Sequence, residues 1–164
     1  MKTDDKKLLK GRIAEAIVES MFEKMGWKVY RSGAEFTAAN AILDRDKPLS
    51  GIAAKRIRNM PDFIVQKDRD VFLIEVKYRK EGQESITKKY IEEWKEPLYP
   101  EAYVIMVSPN NGILMEKAKD IYETKRFFTL TSFRGFDFDR EIIVEHYFLA
   151  KRIFTAIENK EKGA

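Results

Sequence analysis

The sequence predicts an α/β fold in which helices flank a mixed sheet. Three observations predict it: an amphipathic helix near the start, two short apolar runs split by a polar tetrapeptide, and a later helix followed by a continuous apolar strand. Helices and strands in such an order bury their apolar stripes by stacking as layers around one sheet.

From about Lys7 to Met25, the residues Leu9, Ile13, Ala14, Ile17, Val18, Met21, Phe22 and Met25 recur mostly three or four positions apart, the spacing of one helical face. Thr3 or Asp4 is placed to cap its start, and Gly26 stands where a left-handed stop residue is expected. Trp27 to Arg31 reads as a short strand. Residues 32–60 form a long connection, with small residues through 37–41 and a basic stretch before Pro61, and their secondary structure stays open. The runs Asp62–Gln66 and Val71–Lys77, separated by residues 67–70, carry a hairpin signal. Ser85–Lys95 reads as a helix that stops before Pro97. Ala102–Ser108 reads as a buried strand closed by Pro109, Asn110, Asn111 and Gly112, and Arg140–Asn159 as a final helix. At 164 residues, a single domain over 1–164 is expected, since that length buries one sizeable core.

Composition narrows the chemistry. The chain has no cysteine, which excludes disulfides and thiolate metal centres, and its single histidine, His146, excludes a multi-histidine zinc site within one chain. A catalytic metal would be held mainly by oxygen, which favours Mg²⁺, Mn²⁺ or Ca²⁺. Lys and Arg number 31 against 27 for Asp and Glu, a formal charge of +4, so a polyanionic partner is compatible with the balance but not demanded by it. The charged start MKTDDKKLLKGR is unlike a signal peptide, and no apolar run approaches the roughly 20 residues of a membrane span. A soluble, cytoplasmic protein without a membrane partner is therefore expected.

The hairpin brings acids together. A turn at residues 67–70 pairs Gln66 with Val71, Ile64 with Leu73, and Asp62 with Glu75. Directly opposed residues of antiparallel strands have Cβ atoms about 4.5–5.5 Å apart, close enough for two carboxylates to share one cation. Lys77, two residues beyond Glu75, falls on the same face. Both faces of Val71–Val76 are apolar until Glu75 interrupts them, which points to a strand in the middle of the sheet. Two acids there raise each other's proton affinity unless a divalent ion or Lys77 compensates. On the first helix, Glu15 lies almost in line with Leu8 and Phe22, at the border of the apolar stripe. Gly11, one turn earlier, would let that face approach the sheet closely.

These residues resemble the PD-(D/E)XK nuclease superfamily, the restriction-endonuclease-like fold that includes archaeal Holliday junction resolvases. The pattern is Pro61-Asp62, twelve intervening residues, then Glu75-Val76-Lys77, preceded by a helix glutamate in GRIAEAIVESMFEKMGWKVYRSG. The resemblance covers roughly residues 8–108 and implies an αβββαβ core with a central mixed β-sheet flanked by helices; residues 109–164 form a C-terminal extension without counterpart. It further implies Asp62 and Glu75 as metal ligands, the Val76 carbonyl as an added ligand, Glu15 binding directly or through water, and Lys77 assisting the attacking water. The cofactor implied is Mg²⁺ (or Mn²⁺), and the reaction is hydrolysis of a phosphodiester. DNA is favoured over RNA, branched or structured DNA is one substrate class, and homodimerisation is left open.

Lys55, Arg56 and Arg58 before Asp62, and Arg79 and Lys80 after Lys77, are placed to contact phosphates. Trp94 and His146 read as packing residues. Two other readings compete: a catalytically inactive nucleic-acid-binding module of the same fold, and a structural ion cluster in a protein that mediates protein contacts.

Overall fold

The apolar stripe of the first helix meets a sheet in the computed structural model, which describes residues 3–32, 51–82, 88–132 and 136–162. The elements run α1 (Thr3–Lys24), β1 (Lys28–Arg31), α2 (Ile52–Arg58), β2 (Phe63–Lys67), β3 (Asp70–Tyr78), α3 (Lys88–Glu92), β4 (Tyr103–Ser108), β5 (Gly112–Lys117), α4 (Ile121–Thr124), β6 (Phe128–Thr129) and α5 (Arg140–Lys162). The fold is thus mixed α/β, with a six-stranded sheet flanked by helices and the αβββαβ order expected from the sequence, α2 being inserted after β1.

The strands lie side by side in chain order, β1 to β6. Every neighbouring pair is antiparallel except β3 and β4, which are parallel. A parallel pair needs a crossover rather than a tight turn, and residues 79–102, with α3 among them, supply it.

Helix α1 begins earlier than its periodicity suggested, at Thr3, so Thr3 is a helical residue and not its cap. Its first turns carry Leu8 and Leu9 at the surface, while Ala14, Ile17, Val18, Met21 and Phe22 are buried. Gly26 ends the helix as expected, with φ 81°, which lets Trp27 N–H reach Phe22 O at 3.0 Å. Helix α5 starts on Asp139, whose Oδ1 accepts the N–H groups of Glu141 (2.8 Å) and Ile142 (3.2 Å) and so satisfies two orphan donors of the first turn.

One sheet face packs Phe63, Val65, Ile74, Val76, Ile105 and Val107 against α1 and against Ile143, Ala150 and Phe154 of α5. On the other face Val104, Met106 and Leu114 meet Tyr90, Ile121 and Phe127. Strand β4 is therefore buried on both sides, the reason it reads as an unbroken apolar run. Phe22, Phe63 and Phe154 are fully enclosed, each burial contributing about 1.5–3 kcal/mol.

Three expectations need correction. The β2–β3 turn holds two residues, Asp68 and Arg69, rather than four: Lys67 and Asp70 already pair, and Asp68 takes φ 54°, which aspartate tolerates better than most residues. The expected register survives, because Gln66 still faces Val71 and Ile64 faces Leu73. The helix expected at 85–95 is described only as Lys88–Glu92, and its earlier part lies outside the described residues. The segment after Pro109 is more than a strand terminator, since Gly112 (φ 103°) opens β5, which pairs along all of β4. Of the connection left open at 32–60, residues 33–50 lie outside the described residues, and the basic stretch forms α2. No described helix is long and apolar enough to cross a membrane.

Candidate active site

Strand alternation sets the site. Ile74 and Val76 point into the α1 side of the core, so Glu75 and Lys77 fall on the opposite face of β3. The β2–β3 ladder ends at Phe63 opposite Ile74. Asp62 is the next residue out, and its Oδ2 accepts the Val76 N–H at 2.7 Å, standing in for the strand carbonyl that the ladder no longer offers. Behind it, Ser32 ties down the Pro61–Asp62 corner: its Oγ donates to Pro61 O at 2.8 Å and its N–H donates to Asp62 O at 2.9 Å.

Asp62, Glu75, Val76 and Lys77 line an open cleft of about 520 Å³, and α1 closes its other side with Lys7, Lys10, Gly11 and Glu15. The residues singled out from the sequence as metal ligands and as catalytic lysine thus border one space. A second cavity, about 320 Å³, shares Glu75 and Lys77 as a wall and extends to Lys55 and Asn59 of α2 and to Trp94, Leu98 and Tyr99. Glu75 and Lys77 therefore stand on the wall common to both recesses.

The charges in this cleft are in conflict. Burial pushes the Asp62 carboxyl up, Glu75 and Glu15 push it further, and the Val76 N–H and Lys77 only partly offset them, so it titrates at about 7. Lys77 is ion-paired with Glu75. Burial works against its charge, but Glu75 and then Asp62 outweigh that and hold the ammonium above the ordinary lysine range. Lys77 is consequently a cation at neutral pH. Glu15, 16% exposed at its side chain, also stands 3.7 Å from Arg12.

The donor set is all hard oxygen, with an acid excess at its centre, and that chemistry fits a divalent cation such as Mg²⁺ or Mn²⁺. The side chains are not drawn together around one point, however. Among the described residues no group of three or more His, Asp or Glu side chains is gathered closely enough to hold a metal ion. Lys77 pairs with Glu75 Oε1 and the Val76 N–H donates to Asp62 Oδ2, so each of these two carboxylates engages a protein partner through one oxygen.

The flanking cations divide. Arg79 lines the cleft, its guanidinium 4.7 Å from the Tyr90 ring centre. Lys80 instead pairs with Glu158 of α5 at 3.0 Å. Lys55 reaches the second cavity, whereas Arg56 and Arg58 line neither recess. Gly11 borders the cleft, but the close approach expected of it is not there: a Cβ added at Gly11 would meet nothing within 4 Å.

Sequence reasoning missed Lys7 and Lys10, although Lys7, Gly11 and Glu15 are spaced at four-residue intervals on one helical face. It also missed Trp94 as a cavity wall, having read it as packing, which it also is. His146 is buried between helices; its Nδ1–H donates to Ile142 O at 2.8 Å, which leaves Nε2 to accept from the Ser20 hydroxyl at 3.3 Å.

No protein-family model matches the chain, and no curated protein matches it. Among solved structures it is similar to Hjc, a Holliday junction resolvase from Archaeoglobus fulgidus, with 17% sequence identity, 81% of this chain and 91% of that chain covered, and a TM-score of 0.39. That distant likeness carries nothing about catalysis to this chain.

Proposed function

We propose that this chain is a metal-dependent endonuclease that hydrolyses phosphodiester bonds in DNA, with branched or structured DNA the substrate class to test first. One observation supports the reading above the others: Asp62, Glu75, Lys77 and Glu15 border a single cleft in which an Asp carboxyl is pushed up to about 7. Conflict of that kind between buried titratable groups is characteristic of functional sites.

In this proposal Asp62 and Glu75 hold Mg²⁺ or Mn²⁺, with the Val76 carbonyl and Glu15 completing the donors directly or through water. When bound, such an ion lowers the pKa of water and offsets charge that develops on the phosphoryl oxygens. Lys77 orients the nucleophilic water and stabilises negative charge that develops on the phosphoryl group. Arg79, Lys7 and Lys10 border the cleft where phosphates flanking the scissile bond would lie, and Lys55 does so in the adjoining recess.

The test is a cleavage panel of linear, circular, single-stranded and four-way-junction DNA with Mg²⁺, Mn²⁺ or Ca²⁺, alongside matched RNA. Asp62→Ala should abolish cutting, and Lys77→Ala should slow it by at least about 100-fold, the cost of removing one preorganised charge stabiliser. Both should keep the wild-type circular dichroism. Equal cutting by wild type and variants would refute the assignment. The dispersed arrangement of the acids favours one second reading, a nucleic-acid-binding module without turnover. It predicts salt-dependent DNA binding and no metal-dependent product.

A further inference from the structure

The second recess against Glu75 and Lys77 differs from the cleft in kind. Pro61 and Ala102 are buried at its floor, and Trp94, Leu98 and Tyr99 are half-buried around them. Charge is confined to the rim, where Lys55, Glu93 and Glu96 are exposed. These walls are held in place by contacts of their own. The Tyr99 hydroxyl donates to Arg56 O at 2.9 Å, which ties Tyr99 to α2. The Trp94 ring packs against that of Tyr90, 6.5 Å between centres, and Tyr90 is itself buried. A ring fixed in this way loses little freedom when a ligand stacks on it.

Given the DNA substrate proposed above, on which this inference rests, we propose that the recess receives one unpaired base of a strand whose neighbouring phosphate lies in the cleft. Size, lining and position select that occupant. At about 320 Å³ the recess is at the small end of the roughly 300–1,000 Å³ of small-molecule sites, which suits one flat heterocycle and not a base pair. An apolar floor beside a fixed aromatic ring is a platform on which any base stacks. The wall shared with the cleft sets such a base beside Lys77, so base and phosphate belong to one short stretch of strand. Glu93 and Glu96 repel a second phosphate but accept amino hydrogens from a base edge. A base inside a duplex must first be turned out of the stack, and one that is already unpaired costs least to place. The substrates so favoured carry an extrahelical or single-stranded nucleotide.

The test uses the full chain in EDTA, where a metal-dependent nuclease binds without cutting. Its probes are a fully paired duplex, the same duplex with one bulged adenine, and the same bulge with an abasic nucleotide. Fluorescence anisotropy should show the bulged adenine bound at least about tenfold tighter than either of the others, within the range for stacking one base on an aromatic ring. The abasic bulge keeps the flexible kink and lacks the base, so it separates stacking from shape. Trp94→Phe should retain most of the preference, and Trp94→Leu should reduce it to within about twofold, since the stacking platform is lost. Trp94 also packs against the core, so a readout on the wild type guards against a folding defect. Trp27 is buried, and quenching of tryptophan emission by the bulged adenine beyond that by the abasic bulge reports Trp94. Equal affinity for all the duplexes, no binding, no such extra quenching, or a preference intact in Trp94→Leu would each overturn the proposal. Cleavage with metal is scored separately. Preference without cutting would sink the nuclease assignment and support the recess, whereas cutting without preference would do the reverse.

Discussion

Asp62 is an acid held against its own ionisation. Its carboxyl is pushed up to about 7 in the folded chain from an ordinary value of 3.8, mainly because it is buried and then because Glu75 lies beside it. Between those values the folded state binds the proton that the unfolded state has released, so stability falls as pH rises from about 4 to about 7 and levels off above. Asp62→Asn retains an oxygen acceptor for the Val76 N–H and removes the charge. The variant should therefore melt higher than wild type at pH 8, by about 2–4 °C for each kcal/mol of relieved conflict, while the two converge near pH 4. Thermal melts at several pH values read this directly, and a wild-type advantage at pH 8 would contradict the electrostatic account. The same conflict makes a metal prediction. A divalent ion on these carboxylates binds the folded state alone, so at tenfold its dissociation constant Mg²⁺ should add about 1.4 kcal/mol. Calorimetry should show the resulting rise in wild type and none in Asp62→Asn. A rise of equal size in both would place the ion elsewhere.

Elements succeed or fail on backbone conformation as well as on side chains, and two glycines separate these effects. At Gly26, φ is 81° and an added Cβ meets nothing within 4 Å, so Gly26→Ala should cost only the left-handed penalty of about 1–2 kcal/mol. At Gly82, just beyond β3, φ is 52° and a Cβ would also stand 2.7 Å from Asn111 Oδ1 and 2.9 Å from Ser108 Oγ. Gly82→Ala must therefore shift the β4–β5 turn as well, and its loss should exceed that of Gly26→Ala in urea unfolding at unchanged m-value. An equal or smaller loss would mean that the turn yields freely. Gly26 was legible in the sequence because it closes a long helical period; Gly82 was not, because its constraint comes from residues nearly thirty positions away. The same difference explains the rest. Helix α1 and the β2–β3 register each rest on one local periodicity, and both were readable. Strand β5 had its signal in Asn111-Gly112 followed by an apolar run, but Pro109 made the segment look like an ending. Its burial comes from pairing with β4 and from helices on both faces, contacts that no local pattern encodes.

For the whole molecule, the formal charge of +4 is too small to mark a polyanion surface, and the arrangement of charge says more than the sum. The cleft sets Glu15, Asp62 and Glu75 against Lys7, Lys10, Lys77 and Arg79. The acids are the more enclosed, with Glu15 16% and Glu75 20% exposed at the side chain, and Lys7 is open to solvent. The trio of 62, 75 and 77 was legible because strand alternation fixes a face without help from the rest of the fold. Lys7 and Lys10 were not, because only the docking of α1 beside β3 turns an ordinary basic helix start into one wall of the cleft. If the cleft carries a DNA strand as proposed, those two lysines neutralise phosphates whatever the base sequence. Lys7→Ala/Lys10→Ala should then weaken binding evenly across sequences and flatten the log–log dependence of affinity on salt by about 1.8, at roughly 0.9 for each released counterion on duplex DNA. A control that removes Lys28 and Lys119, exposed on β1 and after β5, takes away the same net charge without touching the cleft. Its slope should stay at the wild-type value. Equal flattening by both double variants would make binding a property of net charge, and the cleft would lose its claim to the strand.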